Sequence, residues 1–408
     1  MITKYLYDEN AYDYHDGGYR PLKKAPGEEH PLNVPAFLKP DRIEGNEIYY
    51  TLTAQAGETK ILPGKPTHTW GYNGSILGPA IQFETGKTYH VTLKNELDEV
   101  TTFHWHGLNI VGPYEDGGPH APVYPHGERK ITFTVDQPAA NIWLHPHPCP
   151  ETARQVWNGL AAPVIITDGH EQSLKLPRRW GVNDFPVVLQ DRSYHDNQLD
   201  YKADYDVDGT LGDYALVNFS DYQPGQEVIL QTDDFDLIKF KIGDIKKENM
   251  LLPSPLAEIP ALSVDENTPV FKTVMSGMDD QVRLDGKLFD MQRIDTRQQV
   301  DQTQIWEVSN TNDMEGGMIH PFHIHGCQFQ LIDRNGHAVN PNEHGWKDTI
   351  GVNPNETVRI KVKFTKLGIF MYHCHILEHE DTGMMAQIEI FDPDHPIEYH
   401  LMPMNHKM

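Results

Sequence analysis

The sequence predicts an all-β protein built from consecutive antiparallel β-sandwich domains. Runs in which apolar and polar residues alternate recur along the chain, as expected of strands with one buried face. Clusters of Gly, Pro, Asn and Asp separate the runs at short intervals, which is typical of a sandwich, and helical periodicity is scarce. The predicted strands are EIYYTLTAQ, TYHVTLKN, KITFTV, PVIITD, VVLQDRS, EVILQT, QIWEVSN, FQLID, TVRIKVKF and AQIEIF.

These strands divide the chain into three segments. At about 150 residues per domain, 408 residues predict two or three domains. One boundary follows Asp168, and a second lies in the Pro- and acid-rich segment 251–269. Residues 1–168 and 269–408 are each long enough for a complete sandwich. Residues 169–268 show only a few strand-like runs, whereas a sandwich usually needs about seven strands, so the middle domain is expected to be incomplete.

Composition and charge exclude several classes of protein. The formal net charge of −25 disfavours binding to nucleic acid or to an anionic membrane surface. No apolar run reaches the roughly 18 residues that a membrane span needs. Residues 1–20 lack the basic segment and the apolar run of a signal peptide, and three cysteines cannot form a disulfide framework. A cytoplasmic protein is therefore expected.

Four His-x-His pairs are the most specific feature of the sequence. They stand in FHWHG, WLHPHP, HPFHIHG and YHCHI. With 23 histidines in 408 residues, about 1.3 such pairs are expected by chance, so one pair is a weak motif and four are a strong one. In a strand, residues i and i+2 face the same side, and imidazole is a favoured ligand of copper, zinc and iron. The pairs therefore predict metal binding rather than a solvated strand face.

A cysteine separates the histidines of the last pair. The same period of two directs Cys374 to one side of the strand, and His373 and His375 to the other. One thiolate and two imidazoles would then serve two separate metal sites that adjacent peptide units join.

The first of these sites has the ligand set of blue copper. Cys374, a second histidine at His379 and a weak axial ligand at Met384 are three members of that His₂Cys-plus-Met set. His320 suits the missing histidine, because it precedes His323 by three residues and need not share its face. The eight histidines of the four pairs exceed the ligands of one ion and fit a cluster of three coppers. Zinc commonly takes four ligands in a closed site, and it explains neither the methionine nor the eight imidazoles.

These residues resemble the multicopper oxidases, in the branch of bacterial laccase-like enzymes. HWHG, HPHP, HPFHIHG and HCHILEHEDTGMM match the four ligand motifs of that family in order and type. The stretch GYNGSILGPAIQFETGKTYHVTLKNEL, residues 71–97, also resembles strands of the family's first domain. The resemblance covers both end segments of the chain.

The resemblance implies cupredoxin domains, which are Greek-key β-sandwiches, and four copper ions. The type 1 copper would lie in the last domain, and one type 2 and two type 3 coppers would form a cluster between the first and last domains. By position, the type 1 ligands would be His320, Cys374, His379 and Met384. The type 2 ligands would be His104 and His323. The type 3 ligands would be His106, His145, His147, His325, His373 and His375.

The implied activity is a copper-dependent oxidation with dioxygen as acceptor. A small-molecule donor would be oxidised one electron at a time at type 1 copper, and electrons would cross through Cys374 to a cluster that reduces dioxygen to water. Carboxylates near the cluster should relay the protons that this reduction consumes. Asp116 and Glu380 match acidic positions that the family uses in this way, with Glu115 and Asp381 as weaker substitutes.

The middle segment departs from the family pattern. TLGDYALVN, residues 210–218, resembles the early part of the family's middle domain, and FSDYQPGQEVILQT, residues 219–232, resembles its late part. Several dozen residues are expected to be missing after Asn218. A shortened bridge raises the alternative of end domains that pair between chains in a homotrimer, but a link of about 100 residues favours pairing within a monomer.

The expected function is laccase-like oxidation of phenols or aromatic amines. Two alternatives stay open, a cuprous oxidase for copper tolerance and a non-catalytic copper-binding or structural relative. The complete ligand set disfavours the second alternative. Cys149, Cys327 and the histidines outside the four motifs, such as His120, have no ligand role in the pattern and are expected to pack or to form hydrogen bonds.

Overall fold

The computed structural model describes residues 32–202, 205–218, 253–311 and 317–402, and within these ranges the chain is built mainly of β-strands. Three short α-helices interrupt them: α1 (Thr152–Trp157), α2 (Gly169–Ser173) and α3 (Leu377–Thr382). None of the helices in these ranges is long and apolar enough to cross a membrane. The all-β fold class predicted from the sequence is confirmed.

The first domain is a sandwich of two sheets. Its strands are β1 (Arg42–Glu44), β2 (Glu47–Thr59), β3 (Thr67–Tyr72), β4 (Ile81–Glu84), β5 (Thr88–Asn95), β6 (His104–His106), β7 (Glu128–Thr134), β8 (Ala140–His145) and β9 (Ala162–Thr167). One sheet has the order β1-β2-β5-β7 with β3 beside β2, and the other has the order β4-β9-β8-β6. Every second residue of β5 is buried, and apolar side chains from both sheets, such as Val91 and Leu144, form one core. Strand β6 lies at the edge of its sheet and carries the first histidine pair.

The last domain is a second sandwich. Its strands are β14 (Val270–Ser276), β15 (Arg283–Leu284), β16 (Thr296–Gln299), β17 (Thr303–Asn310), β18 (His320–Ile324), β19 (Phe329–Arg334), β20 (His337–Ala338), β21 (Thr349–Val352), β22 (Thr357–Lys363), β23 (Gly368–Cys374) and β24 (Met385–Phe391). The sheet orders are β15-β14-β17-β22-β19-β20 and β16-β24-β23-β18-β21. Trp306 and Ile360 from one sheet pack with Phe322 and Tyr372 from the other in one core. Two 3-10 helices, Asp279–Gln281 and Pro341–Glu343, lie in the connections.

The described part of the middle segment contains two small antiparallel pairs. They are β10 (Leu189–Arg192) with β13 (Tyr214–Val217), and β11 (Tyr194–His195) with β12 (Gln198–Leu199). The described range 205–218 ends at Asn218, whose side-chain oxygen accepts a hydrogen bond from the Val188 N–H at 2.7 Å. The predicted strand EVILQT, with the rest of residues 219–252, lies outside the described residues. The incomplete middle domain therefore stays a prediction.

Strand β23 lies between the two outer domains and is buried along its whole length. Phe370, Tyr372 and Cys374 face the core of the last domain. The alternate residues Ile369 and Met371 face the other way and pack in a cluster with Cys149 of the first domain. One strand therefore presents successive side chains to two environments, as its period of two requires.

Two glycines allow the domains to approach each other at the start of β23. Gly368 has a φ of +147°, and a Cβ placed on it would lie 2.4 Å from the carbonyl oxygen of Gly112 in the first domain. A Cβ on Gly112 would in turn lie 2.5 Å from the Ile369 carbonyl oxygen. Only residues without a Cβ fit this contact, because both obstacles are backbone atoms.

Gly368→Ala is expected to lower the free energy of unfolding of the metal-free protein by about 3 kcal/mol, through backbone strain and a forced separation of the domains. Gly336→Ala is the control, since Gly336 also has a positive φ, of +77°, but nothing lies within 4 Å of its Cβ position. The control should lose about 1 kcal/mol. Urea unfolding measures both values, and equal losses would contradict the domain contact.

Candidate metal centre

Strand register aligns the histidine motifs with each other. In the last domain, β18 pairs with β23 so that His323 lies opposite His373 and Phe322 lies opposite Cys374. In the first domain, β6 pairs with β8 so that His104 lies opposite His145. Side chains that lie directly opposite in antiparallel strands share a face. Each sheet therefore presents histidines from two motifs on one face.

Three of the four pairs extend beyond the ends of their strands. Only His104 and His106 both lie within a strand, whereas His147, His325 and His375 follow the last residues of β8, β18 and β23. The period-two pattern predicts every pair on a strand, and this prediction is wrong for the second member of three pairs. The chain turns at these points, so the rings of one pair can reach different groups of ligands.

The eight histidines form one cluster between the two outer domains. Within it, groups of three rings have nitrogens that all lie within 4.8 Å of one another. The groups are His106, His145 and His375; His147, His325 and His373; and His104, His106 and His323. Each group combines residues of the first and last domains, and all come from a single chain. His373 and His375 fall in different groups.

Outer hydrogen bonds fix one nitrogen of most rings. Nδ1–H of His104 donates to the Asp116 carbonyl at 3.0 Å, and Nδ1–H of His323 donates to the Asp348 carbonyl at 2.8 Å. Nδ1–H of His145 donates to the Pro146 carbonyl at 2.8 Å. Nε2 of these three rings is buried without a hydrogen-bond partner in the described residues. A neutral imidazole with Nδ1 protonated has its lone pair on Nε2. Each ring therefore presents an unprotonated nitrogen, which can bind a metal ion, to the interior of the cluster.

The arrangement of lone pairs fits a cation. Nδ1 of His325 faces the Asp116 carboxylate at 2.8 Å, and Nδ1 of His373 faces the Cys374 carbonyl at 2.9 Å. Nε2 of these two rings lie 3.1 Å apart, and neither carries a proton to share. Burial and neighbouring histidines hold the pKa of both rings well below the ordinary value, so protonation does not resolve the contact. A positive ion between such lone pairs turns repulsion into coordination.

A separate group lies on the opposite face of β23. The Sγ atom of Cys374 is 3.5 Å from Nδ1 of His320 and 3.6 Å from Nδ1 of His379. All three residues are buried. Burial raises the pKa of the Cys374 thiol, so a metal ion has to displace its proton on binding. Two imidazoles and one thiolate form the equatorial ligand set of blue copper.

Helix α3 returns the chain to this group. Residues Leu377–Thr382 are helical, and Gly383, with a φ of +111°, ends the helix. The Met384 N–H donates to the His379 carbonyl at 2.8 Å, and the Cys374 N–H donates to the Met384 carbonyl at 3.1 Å. Met384 is fully buried beside the cysteine, in the same core.

Both predicted relay carboxylates lie at the histidine cluster. Asp116 is buried and reaches His325 through Oδ2. Glu380 is buried, with Oε1 3.2 Å from Nδ1 of His147 and Oε2 3.4 Å from Nδ1 of His373, although neither contact is aligned as a hydrogen bond. Burial, with Asp381 next to it, raises the pKa of Glu380 well above the ordinary value.

The two weaker substitutes have other surroundings. Burial raises the pKa of Glu115, which is half-buried next to Asp116 in the sequence. Asp381 accepts hydrogen bonds from the N–H groups of Thr152 and Ala153, at 2.9 and 2.8 Å, at the first turn of α1. Asp381 therefore joins the two outer domains. It also accepts from N–H groups at the start of α1 that Glu151, the residue before the helix, does not cap with its side chain.

Two acidic residues that no sequence motif predicts contact the predicted ligands. Asp348 Oδ1 accepts from Nε2–H of His106 at 3.1 Å, and its backbone carbonyl holds His323. Asp208, in the middle segment, accepts from Nε2–H of His379 at 2.9 Å. These contacts span 242 and 171 residues of sequence, and only the tertiary structure brings the partners together.

Among the residues that the structure describes, the remaining cysteines and histidines do not join either group. Cys149 and Cys327 are buried in apolar clusters, and burial raises the pKa of both thiols. His120 is buried, with Nε2 2.6 Å from the Gln387 side-chain oxygen and Nδ1 accepting from the Met402 N–H at 3.2 Å. These residues pack or form hydrogen bonds, as expected from their absence from the ligand motifs.

The fold and the two groups of ligands define a copper-dependent oxidoreductase that uses dioxygen. The multicopper oxidase family matches residues 53–171 and 263–394 of the chain. The multicopper oxidase mco of Staphylococcus aureus is 36% identical over 414 residues, which include 88% of this chain and 92% of the relative. The chain belongs to the multicopper oxidase family, whose members hold one type 1, one type 2 and two type 3 coppers.

Two crystal structures from Pediococcus acidilactici resemble the chain along almost its whole length. A multicopper oxidase is 84% identical with a TM-score of 0.92, and the match covers 98% of this chain and 100% of the other. A laccase is 83% identical with a TM-score of 0.90, and the match covers 96% of this chain and 100% of the other. The bacterial laccase-like branch predicted from the motifs fits these relatives.

Proposed function

We propose that the chain is a laccase-like enzyme that oxidises phenols or aromatic amines and holds its coppers with the twelve residues predicted from the sequence. The type 1 ligands are His320, Cys374, His379 and Met384, and the type 2 ligands are His104 and His323. The type 3 ligands are His106, His145 and His375 for one ion, and His147, His325 and His373 for the other. The split of β23, with Cys374 on one face and His373 on the other, carries the proposal.

The polypeptide links the two centres by a short route. Cys374 and His373 are neighbours in sequence, and Nδ1–H of His373 also donates to the Cys374 carbonyl at 2.9 Å. This hydrogen bond fixes the tautomer of His373 and directs Nε2 to the cluster. Bound copper supplies the one-electron oxidation of the donor and the reduction of dioxygen. The chain keeps the two ligand groups adjacent, on opposite faces of β23.

Asp116 and Glu380 are the proposed proton carriers. Asp116 Oδ2 lies 2.8 Å from Nδ1 of His325, and the Glu380 carboxyl group lies between the Nδ1 atoms of His147 and His373. Each carboxyl group is within about 4 Å of two cluster histidines and is shielded from bulk water. A carboxyl group in this position can hold a proton near the reacting oxygen atoms and exchange it during turnover.

Copper analysis with donor competition tests the proposal. Copper-loaded protein should contain about four ions per chain, show an intense band near 600 nm, and consume dioxygen with a phenol such as 2,6-dimethoxyphenol. Cu(I) should support a lower kcat/KM than the phenol. A higher value for Cu(I) would favour a cuprous oxidase, and loaded protein that consumes no dioxygen with either donor would favour a non-catalytic relative.

We also propose that the middle domain is shortened and that the protein is a monomer. The alignment with the S. aureus oxidase spans 414 residues but includes only 88% of the 408 residues of this chain. The S. aureus protein therefore has residues that this chain lacks. One chain supplies all eight cluster histidines, which supports a monomer. Sedimentation of the copper-loaded protein would distinguish the monomer from a homotrimer.

A further inference from the structure

The two histidines beside Cys374 have different outer partners. Nδ1 of both rings faces the Cys374 sulfur, so Nε2 is the outer nitrogen in each. His320 has the neutral backbone carbonyl of Gly277 as its partner. His379 has the carboxylate of Asp208 at 2.9 Å. A full negative charge thus lies behind one imidazole of the group and not behind the other.

Two hydrogen bonds, one to the carboxylate and one from the backbone, hold Asp208 in place. Its Oδ1 accepts a hydrogen bond from the Asp279 N–H at 2.7 Å, where a 3-10 helix of the last domain begins. Its own N–H donates to the Asp206 side chain at 2.9 Å. The side chain is only 18% exposed, and the His379 ring behind it has no exposed surface.

The loop that carries Asp208 is also fixed to helix α3. Glu378 Oε1 accepts hydrogen bonds from the Thr210 N–H at 3.1 Å and from the Tyr201 hydroxyl at 3.3 Å. Glu378 precedes His379 in the helix, so the middle segment contacts two successive residues of α3, one of which is the ligand. The position of the carboxylate relative to the ring is therefore set by structure in two domains.

We infer that Asp208 is a positioning residue of the type 1 centre, which orients the His379 ring and lowers the reduction potential of the copper held there. This inference rests on the proposed ligand assignment. A carboxylate that accepts the Nε2–H proton makes the imidazole a stronger electron donor through Nδ1. A stronger donor and a nearby negative charge both stabilise Cu(II) relative to Cu(I). The middle segment thus contributes to the redox chemistry although it supplies no ligand.

Asp208→Asn tests the inference, because the amide oxygen can still accept the hydrogen bond while the charge is lost. The equilibrium constant for electron transfer from a redox mediator to type 1 copper is expected to rise at least about tenfold, which is about 59 mV for a one-electron couple. The hyperfine coupling in the type 1 electron paramagnetic resonance signal should also change. Asp208→Glu should return part of the shift.

The matched control is Asp206→Asn in the same loop. It removes an equal charge from a side chain that contacts the Asp208 N–H but not His379. The control should shift the mediator equilibrium by less than about twofold, since an exposed charge acts through high-dielectric solvent. Equal shifts in the two Asn variants, or no shift in Asp208→Asn, would overturn the positioning role.

Copper content and the visible band separate this inference from the proposed function. A wild-type protein without a type 1 signal would refute the ligand assignment itself. A wild-type signal with an unchanged potential in Asp208→Asn would refute only the role of Asp208. Loss of type 1 copper in Asp208→Asn alone, with the other coppers retained, would also support the role, because the neutral amide accepts a weaker hydrogen bond than the carboxylate and would hold the ring less firmly.

Discussion

Cys374→Ser is expected to remove the 600 nm band and to reduce oxidation of a phenol by roughly a thousandfold or more, as when one member of a group that acts as a unit is lost. The reason lies in the geometry of β23. The cysteine sulfur is within 3.6 Å of both histidine nitrogens of its group, and no other sulfur donor is assigned to an equatorial position. A serine hydroxyl at this position is a hard and weakly acidic ligand, so it does not replace the thiolate.

The histidine cluster should survive this substitution. His373 leaves the other face of the strand and His375 follows its end, and their nitrogens lie 3.4 and 3.1 Å from nitrogens of His147 and His106 in the first domain. The variant is therefore expected to lose one copper per chain and to keep the rest. Metal analysis and electron paramagnetic resonance of the type 2 signal measure this directly.

Cys327→Ser provides the control, since it makes the same change at another buried cysteine. Cys327 packs in the apolar core of the last domain and belongs to neither ligand group. The control should retain the band and the activity, with a stability loss of about 1 to 2 kcal/mol from burying a hydroxyl group. If Cys374→Ser kept an intense band near 600 nm, the assignment of the type 1 centre would be wrong.

Much of the fold follows from local sequence patterns. Strand β5 begins and ends at the residues that the alternating run TYHVTLKN predicts, and β17 and β22 differ from their predicted runs by one residue at one end. These strands have one face in a core and one in solvent, so burial leaves a clear period of two. Strand β23 is buried on both faces and reads as a continuous run, GIFMYHC, which has no such period. The HCH motif rather than the hydrophobic pattern predicted it.

The ligand residues follow from the motifs, whereas their surroundings do not. Period-two geometry predicts that Cys374 and His373 point to different faces of one strand, and the structure has the two side chains in different ligand groups. It does not predict that His373 and His375 join different groups, because that depends on the end of β23 at Cys374. The contacts of Asp208 and Asp348 depend on how distant segments dock, which no local pattern encodes.

The second large effect is expected at Glu380. Glu380→Gln should lower the rate of dioxygen reduction by about 10²- to 10⁴-fold, the usual contribution of a positioned proton carrier. The carboxyl group lies within 3.4 Å of one nitrogen of both His147 and His373, and neither of its oxygens has an aligned hydrogen bond in the described residues. Glutamine keeps the volume and the buried contacts but cannot exchange a proton.

The step affected should be visible in separate half-reactions. Reduction of type 1 copper by a donor under anaerobic conditions should keep its wild-type rate, because Cys374, His320 and their contacts are unchanged. Reoxidation of the fully reduced protein by dioxygen should slow, and it should show a larger solvent isotope effect if proton delivery limits it. A loss confined to the anaerobic half-reaction would contradict the relay role.

Asp381→Asn distinguishes Glu380 from its neighbour. Asp381 accepts two N–H groups at the start of α1, and an asparagine oxygen can keep one of these bonds. The variant should therefore lose about 1 kcal/mol of stability and reoxidise within about tenfold of the wild type. Since both variants remove one carboxyl group from the same helix, a slower reoxidation in Asp381→Asn than in Glu380→Gln would transfer the relay role to Asp381. The geometry favours Glu380, because only its carboxyl group faces the rings of the cluster.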